Sequence, residues 1–341
     1  MVKSVTHFFW RLRSLDTGTH VVMGIAIGGI ATLDPVVSQS SITQEAVVIA
    51  TIVGSQAPDI DTLLKLKNNA TYIRNHRGLT HSAPAIFLWS LLISGTIYLF
   101  IPNADWFHLW LWTFIAVFFH VFVDIFNGYG TQALRPFTKK WIALGTINTF
   151  DPFIFVMHMI GIALWLFGFH AGYTFITIYI LLTVYYLLNL WFQYKVRKRV
   201  RETIDEVEEI IFNPTIQFRK WTLAIRTKTH YYVVRVNKET LEILDRFVRV
   251  PLPEDDAMNA AKKDPNIEAF LYFSPIYRWE KVQFEDHIEV RFIDLRYRSK
   301  QYYPFVAVVH LDENYHILRS YTGWIFSEKR LKKKLEMLTK V

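Results

Sequence analysis

The chain has 341 residues, of which 52% are hydrophobic and 16% aromatic, and a formal net charge of +8. It has no cysteine, which excludes disulfides and thiolate metal ligands. The length and hydrophobic share predict a membrane domain and a soluble domain. The excess of Lys and Arg is explained more simply by positive-inside bias beside membrane spans than by a nucleic-acid partner.

The first segment is basic and aromatic and has no Ala-x-Ala cleavage site, so it is not a convincing signal peptide. Residues 1–15 fit a short amphipathic helix lying on the membrane, with a frayed extension as the alternative. We assign residues 1–19 to this N-terminal segment.

Six apolar runs follow. Runs 84–101, 106–127, 153–168 and 172–192 approach the roughly 20 residues that cross a bilayer, whereas runs 21–33 and 46–57 are shorter. The sequence therefore predicts an α-helical integral membrane bundle at residues 20–194, with four long spans and two short apolar helices. In run 21–33, Gly24, Gly28 and Gly29 fit close helix packing.

The charges of the connecting loops predict the orientation. Lys and Arg residues lie in loops 58–83 and 128–150 and just after residue 195, whereas the alternate loops have none. By the positive-inside rule the charged loops are cytoplasmic. We therefore expect a multi-pass protein of the cell membrane, in contact with membrane lipids, with both termini cytoplasmic.

The pattern changes after about residue 202. Segment 202–209 is acidic and helical in tendency. Period-two, β-branched stretches at 231–236, 287–292 and 304–309, with turn residues between them, predict an antiparallel sheet. Residues 327–340 predict a basic amphipathic helix. We assign residues 195–341 to a small β-rich cytoplasmic domain, whose role and protein partners the sequence does not identify.

Two polar residues lie within the apolar run 106–127. His120 and Asp124 are four apart, so on a helix they share one face, where both can bind one ion. An ionisable residue inside a membrane segment is costly and usually functional. A helix–helix hydrogen bond is the alternative explanation.

The other potential ligands occupy the same predicted membrane face. They are His20, Asp59, Asp61, His76 and His81. Together with His120 and Asp124 they suit two ions bridged by a carboxylate, for which we favour Asp124. Histidine and carboxylate ligands suit zinc, with manganese as the alternative divalent metal. We predict His20, Asp59, Asp61, His81, His120 and Asp124 as metal ligands.

Other residues are assigned catalytic or local roles. Asp61, His76 and Arg77 are the predicted catalytic residues: one of His76 and His81 would donate a proton, and Arg74 and Arg77 would hold a phosphate, unless these two reflect positive-inside bias.

Each remaining residue has an ordinary alternative. Asp59 and Asp151 fit helix N-caps, Asn127 a C-cap, Thr80 an orienting residue or a solvated one, and His158 a satisfied core histidine. The histidines after residue 158 have no ligand partner at a useful spacing.

These motifs in order resemble a known family. Residues 16–20 (DTGTH), 58–61 (PDID), 76–82 (HRGLTHS) and 120–130 (HVFVDIFNGYG) resemble the YfhP/YdjM-like membrane-bound metal-dependent hydrolases. The resemblance implies an integral membrane protein whose site contains His20, Asp59 or Asp61, His76 or His81, His120 and Asp124. More distantly the spacing is similar to zinc-dependent phospholipase C and P1 nuclease, although their further His…His-x-x-x-Glu group has no match.

We therefore expect a metal-dependent hydrolase that acts at the cytoplasmic face on a small-molecule or lipid phosphoester through a metal-activated water. The alternative is a non-enzymatic membrane protein with a structural or sensory metal site and a partner-binding cytoplasmic domain. A transporter is a third possibility, but the polar residues cluster at one face and do not line a path through the bilayer.

Overall fold

A computed structural model describes residues 17–338. The predicted amphipathic segment at residues 1–15 lies outside these residues. The described chain is helical as far as Thr203 and rich in β-strands after it. This division confirms the predicted fold class at the level of its two halves.

The helical half contains α1 (Thr17–Leu33), α2 (Pro35–Ser38), α3 (Ser41–Gly54), a 3-10 segment (Ala57–Leu66), α4 (Asn69–Asn75), a 3-10 turn (Leu79–His81), α5 (Ala83–Phe100), α6 (Trp106–Asp124), α7 (Pro152–Leu166) and α8 (Ala171–Thr203). Among these described helices, α5, α6 and α8 are long and apolar enough to cross a membrane. The bent pair of α3 and the 3-10 segment would add a fourth span if it crosses as one unit. Helix α7 has 15 residues, which is short for a span, so four long spans stay a prediction.

Side-chain caps fix where the long helices begin. Ser82 accepts a hydrogen bond from Ala85 N at the start of α5, and Asp105 accepts one from His108 N at the start of α6. Asp151 accepts from the first amides of α7 and precedes Pro152, which confirms the N-cap interpretation. These caps satisfy amides that have no partner within the helix.

Helix α1 packs closely on α3 through its glycines. A Cβ atom added at Gly24 would lie 2.5 Å from Ser55 Oγ and 2.7 Å from Thr51 O. At Gly29 it would lie 2.4 Å from the Phe175 ring of α8. The prediction of close helix packing is confirmed, and this packing holds His20, one turn before Gly24, beside the end of α3.

The β-rich half contains two four-stranded antiparallel sheets, each with its strands in sequence order. Sheet 1 comprises β1 (Val207–Pro214), β2 (Lys220–Thr227), β3 (His230–Asn237) and β4 (Thr240–Val248). After α9 (Asp256–Lys262) and α10 (Pro265–Phe273), sheet 2 comprises β5 (Tyr277–Gln283), β6 (Ile288–Asp294), β7 (Phe305–Leu311) and β8 (Ile317–Trp324), and α11 (Glu328–Leu338) follows. The three predicted strand stretches coincide with β3, β6 and β7, and the predicted C-terminal helix with α11.

The two sheets share a core with each other and with the helices. Val233 of sheet 1 packs with Val308 of sheet 2 and Leu331 of α11. Helix α8 continues past residue 195, and its Val196 and Val200 pack on the other face of sheet 1. The expected helix over 202–209 is wrong after Thr203, because β1 begins at Val207 and its apolar side chains are buried against β2.

The β-rich half rests on the two charged loops of the helical half. Asn69 Nδ2 donates to Thr322 O at 3.0 Å, and Arg74 pairs with Glu268 at 2.8 Å. In the second loop, Gln132 Nε2 donates to the Tyr272 hydroxyl at 2.6 Å. The loops around residues 68–80 and 127–148 therefore lie on the same side of the molecule as the sheets.

Candidate metal centre

The predicted pair on α6 is buried and faces one direction. His120 Nε2 lies 3.5 Å from Asp124 Oδ2, and both side chains are almost fully inaccessible to solvent. The four-residue spacing thus places both groups at one point, as the helical period predicts. His120 Nδ1 lies 2.7 Å from the backbone oxygen of Ser55, at the end of α3.

A bend after α3 brings Asp59 to this pair. The 3-10 segment turns by 41° from the axis of α3, and Asp59 Oδ1 lies 3.8 Å from His120 Nε2. A 3-10 helix has three residues per turn, so Asp59 and Asp61 make different contacts. Their carboxylates nevertheless lie close enough to bind one ion together with His76.

Asp61 instead organises the following loop. Its Oδ1 lies 2.7 Å from His76 Nδ1, and its Oδ2 accepts hydrogen bonds from Arg77 N at 2.8 Å and Thr80 Oγ1 at 2.7 Å. Arg77 has a left-handed φ of 57°, which is uncommon for a residue with a side chain. The Asp61 hydrogen bonds hold this turn and direct His81 inward.

His81 is the link between the carboxylates. Its Nε2 lies 3.5 Å from Asp59 Oδ1, 3.4 Å from Asp124 Oδ2 and 3.3 Å from His120 Nε2. Burial acts to lower the pKa of His81, but the carboxylates of Asp124 and Asp59 outweigh it and raise the pKa to about 9. A proton on His81 therefore provides positive charge that compensates the two carboxylates.

The four facing atoms have the spacing of a tetrahedral site. The measured separations run from 3.3 to 3.8 Å. Ligands about 2.0–2.2 Å from a tetrahedral zinc ion lie about 3.3–3.6 Å from one another. Within residues 17–338, Asp59 Oδ1 and Asp124 Oδ2 are buried and have no hydrogen-bond donor in good geometry. Buried carboxylate oxygens in that state are typically satisfied by a bound cation or an ordered water.

Hydrogen bonds orient both imidazoles toward the same point. A backbone oxygen only accepts, so His120 Nδ1 carries the hydrogen given to Ser55 and Nε2 has the lone pair. The Thr80 hydroxyl donates to Asp61 and lies 3.0 Å from His81 Nδ1, so it accepts from that nitrogen. The two Nε2 atoms face each other at 3.3 Å, so a cation that displaces the Nε2 proton of His81 would be bound by the lone pairs of both rings.

His20 and Arg77 lie on the other side of Asp124. Asp124 Oδ1 is 3.1 Å from Arg77 Nη2, 3.2 Å from Asn127 Nδ2 and 3.7 Å from His20 Nε2. The His20 ring stacks on the His120 ring with centroids 4.0 Å apart. The structure thus brings these residues to the centre but outside the four-atom cluster, and His20 as a ligand stays a prediction.

The helical half of this chain matches the YdjM inner membrane protein family over residues 15–196. The chain belongs to the YdjM/YfhP family. The YfhP middle domain matches residues 205–247, and the YfhP C-terminal alpha/beta plait domain matches residues 256–335. The chain is 61% identical over 324 residues to the uncharacterized protein YfhP of Bacillus subtilis (strain 168), covering 95% of this chain and 99% of that protein. No solved structure matches.

The family assignment and the apolar helices together indicate a membrane protein. The YdjM match covers residues 15–196, which contain all four atoms of the cluster. The family names describe a location and domains, and the chemistry of the centre follows from its geometry.

Several polar residues of this family member have the ordinary roles considered in the sequence analysis. His158 Nδ1 bonds to Ile154 O at 2.8 Å and its Nε2 lies 3.4 Å from the Tyr179 hydroxyl, which confirms a satisfied core histidine. Asn127 Oδ1 accepts from the amides of Tyr129 and Gly130, as a helix-ending residue does. Arg74 forms its exposed pair with Glu268 rather than lying at the centre.

One expectation about the late histidines is wrong. His287, Glu289 and His310 come together on sheet 2, because β6 pairs with β7 and places Glu289 opposite His310. His310 lies 2.9 Å from Glu289 Oε2 through Nε2 and accepts from Arg319 through Nδ1. Arg291 also binds Glu289, so hydrogen bonds and arginines already satisfy this cluster.

The sequence analysis did not identify the Ser55 carbonyl as a partner of His120. A backbone oxygen carries no side-chain signal, and its position depends on where α3 ends. Two roles were open for Thr80, an orienting residue or a solvated one. Its hydroxyl contacts His81 Nδ1, which is the orienting role.

The first prediction concerns the ligands. We expect His120→Ala and Asp124→Ala each to lose the bound zinc or manganese of the purified protein, since each removes one atom of the four-atom cluster. Metal per chain, measured by elemental mass spectrometry, provides the test. His158→Ala is the matched control, a buried histidine outside the cluster, and should retain the metal. Equal metal content in all three variants would refute the ligand assignment.

The second prediction concerns Thr80. Thr80→Val keeps all four ligands but removes the hydroxyl between His81 and Asp61. We expect metal affinity to fall by about 10–100-fold, the usual cost of losing a partner that orients a ligand. Competition with a chromophoric chelator measures the affinity, and Thr80→Ser should restore it. An unchanged affinity in Thr80→Val would show that the hydroxyl does not orient His81.

Proposed function

We propose that this protein is a membrane-bound metal-dependent hydrolase that cleaves a phosphoester at the cytoplasmic face of the membrane. The observation that carries the proposal is the convergence of two bare carboxylate oxygens and two imidazole Nε2 atoms on one buried point. The order of His, Asp, His and His-x-x-x-Asp residues, similar to zinc-dependent phospholipase C and P1 nuclease, supports a phosphoester substrate.

The facing atoms of Asp59, His81, His120 and Asp124 surround one position for an ion, and Asp59, Asp61 and His76 form a second group that shares Asp59 with the first. The second oxygen of Asp124 is engaged by Arg77 and Asn127, so a second ion would share Asp59 rather than the Asp124 bridge favoured from the sequence. Two nitrogens and two oxygens suit zinc, with manganese as the alternative. The absence of a downstream His…His-x-x-x-Glu group agrees with a smaller site.

The accessibility of the ligands suggests how their roles divide. His81, His120 and Asp124 are inaccessible, whereas the Asp59 side chain is 19% exposed. We propose that the three buried residues hold the ion and that Asp59 faces the position open to water. A divalent ion bound there would lower the pKa of a coordinated water and polarise a phosphoryl oxygen. Asp59 is then placed to accept the proton that the attacking water releases.

His76 and Arg77 complete the proposed machinery. Asp61 accepts a hydrogen bond from His76 Nδ1, so a protonated His76 would donate its Nε2 hydrogen to the leaving-group oxygen at the accessible edge of the centre and regain a proton from solvent. The Arg77 guanidinium is buried against Asp124 and adds positive charge beside the reacting phosphoester. Asp61 acts through His76 and Thr80 as a positioning residue.

A structural or sensory metal site is the second candidate. A site with four protein ligands and no open position is typical of structural zinc, and the three inaccessible ligands favour this alternative. The two candidates differ in the role of Asp59, which is a permanent ligand in one and a base in the other.

The third prediction separates these candidates. If the protein is a hydrolase, the zinc-loaded wild type should cleave bis(p-nitrophenyl) phosphate and lose that activity on chelation. Asp59→Asn should keep most of the metal and lose turnover by about 100-fold or more, the usual contribution of a general base. Ile60→Ala, an exposed neighbour, serves as the control and should retain both. Loss of metal in Asp59→Asn, with no turnover by the wild type, would instead support the structural site.

The fourth prediction concerns topology. We propose that loops 58–83 and 128–150 and the β-rich half are cytoplasmic, since they hold the basic residues and contact one another. The chain has no cysteine, so single cysteines can be placed at Lys67, Lys140 and Val250, with Asn103 as the outward-facing control. A membrane-impermeant thiol reagent added to intact cells should label only position 103. Labelling at position 67 or 140 would place that loop outside and overturn the orientation.

A further inference from the structure

We propose that the cavity beside the candidate metal centre holds an acyl chain of a membrane phospholipid, which enters sideways from the bilayer. The inference deepens the proposed function. That the bound lipid is also the phosphoester substrate rests on the proposed function. The acyl-chain site itself rests on the shape and surroundings of the cavity.

The cavity lies between α1, α6, α7 and α8 and has a volume of about 450 Å³. Ligand sites commonly enclose about 300–1,000 Å³. His20, Asp124 and Asn127 form part of its lining, so the cavity reaches the residues that surround the four-atom cluster.

One wall is a stripe along α8. Its residues recur every three or four positions and so share one helix face: Tyr179, Leu182, Thr183, Tyr186, Leu187 and Leu190. At a rise of 1.5 Å per residue the stripe is about 16 Å long. This elongated, mostly apolar wall suits an extended hydrocarbon chain.

The opposite wall comes from α6, and ring contacts join the two walls. Phe119 packs edge-on against Tyr179 with centroids 5.4 Å apart, and Phe126 packs likewise against Tyr186 at 5.0 Å. These pairs join α6 and the residues just after it to α8 at the start and near the middle of the stripe. The space between them is therefore a formed cleft rather than a gap that closes by helix packing.

The mouth of the cleft faces the apolar surface of the helices. Phe122 and Leu187 line it and are 41% and 59% exposed, whereas Leu182 and His158 inside are buried. Both exposed residues belong to helices long and apolar enough to cross a membrane. A lipid chain can pass between them from the bilayer core, whereas a water-soluble substrate would first have to cross apolar surface.

Most polar lining residues lie at the end nearest the centre, while His158 and Thr183 add polar groups farther along the walls. Asn127, Asn148, Thr149 and Asp151 line that end together with His20 and Asp124. The Asp151 carboxylate is already engaged by the Tyr185 hydroxyl and the first amides of α7. An amphiphile would lie with its chain along the α8 stripe and its phosphoester toward Asp124.

A photoactivatable lipid tests the inference without relying on catalysis. The full chain is reconstituted in phosphatidylethanolamine–phosphatidylglycerol vesicles containing trace phosphatidylglycerol with a diazirine in one acyl chain. After photolysis, peptide mass spectrometry maps the labelled positions. We expect saturable labelling of 119–126 and 179–190 that excess unlabelled phosphatidylglycerol reduces, and non-saturable labelling of the exposed face of α5 around Leu91.

Two neighbouring substitutions give a matched comparison. Leu182→Trp fills the cleft and should reduce its labelling by about tenfold, as expected when buried apolar contacts of a chain are lost. Leu181→Trp, 49% exposed and outside the lining, should leave the labelling unchanged. If Leu182→Trp does not fold, Thr183→Trp at the exposed rim should narrow the mouth and give the same reduction.

The outcomes separate this inference from the proposed function. Two results would overturn the acyl-chain site even if the protein hydrolyses bis(p-nitrophenyl) phosphate. One is non-saturable labelling of the cleft, as expected for α5. The other is equal cleft labelling in the Leu182 and Leu181 variants. Saturable cleft labelling in a protein without metal or turnover would uphold the lipid site and refute the hydrolase.

Discussion

The carboxylates of Asp59 and Asp124, whose facing oxygens are buried among apolar helices, are the constraint on which the helical half depends. Removing a carboxylate from water costs several kcal/mol unless opposite charge and hydrogen bonds compensate. Arg77 and Asn127 satisfy one oxygen of Asp124, and the other oxygen faces His81 and His120. The glycine contacts of α1, the bend after α3 and the left-handed turn at Arg77 all bring groups to this point.

The β-rich half stabilises the loops that supply these groups. Ile73 of α4 is buried in the core formed by α9, α10 and sheet 2, and Asn148 donates to Pro214 O of β1 at 2.7 Å. The turn with Arg77, Thr80 and His81 follows α4 directly. Sheet packing and metal-centre geometry are therefore coupled through a short helix rather than through a flexible linker.

Local periodicity predicted those parts of the fold and site that depend on neighbours in sequence. The pairing of His120 with Asp124, the cap at Asp151 and the strand β6 follow from spacing and residue type. The 3-10 backbone that brings Asp59 to His120 and Asp61 to His76 did not, because an apolar-to-polar segment does not distinguish 3-10 from extended backbone. The meeting of His287 with His310 was also missed, since it depends on the pairing of strands far apart in sequence.

The positions of the four cluster atoms in the chain also bear on biosynthesis. All four lie between residues 59 and 124, and synthesis proceeds from the N-terminus. The ribosome therefore completes the whole donor set, and α5 and α6 with it, before the first residue of β1 exists. The later folding of the sheets would then close the loops over a donor set already assembled.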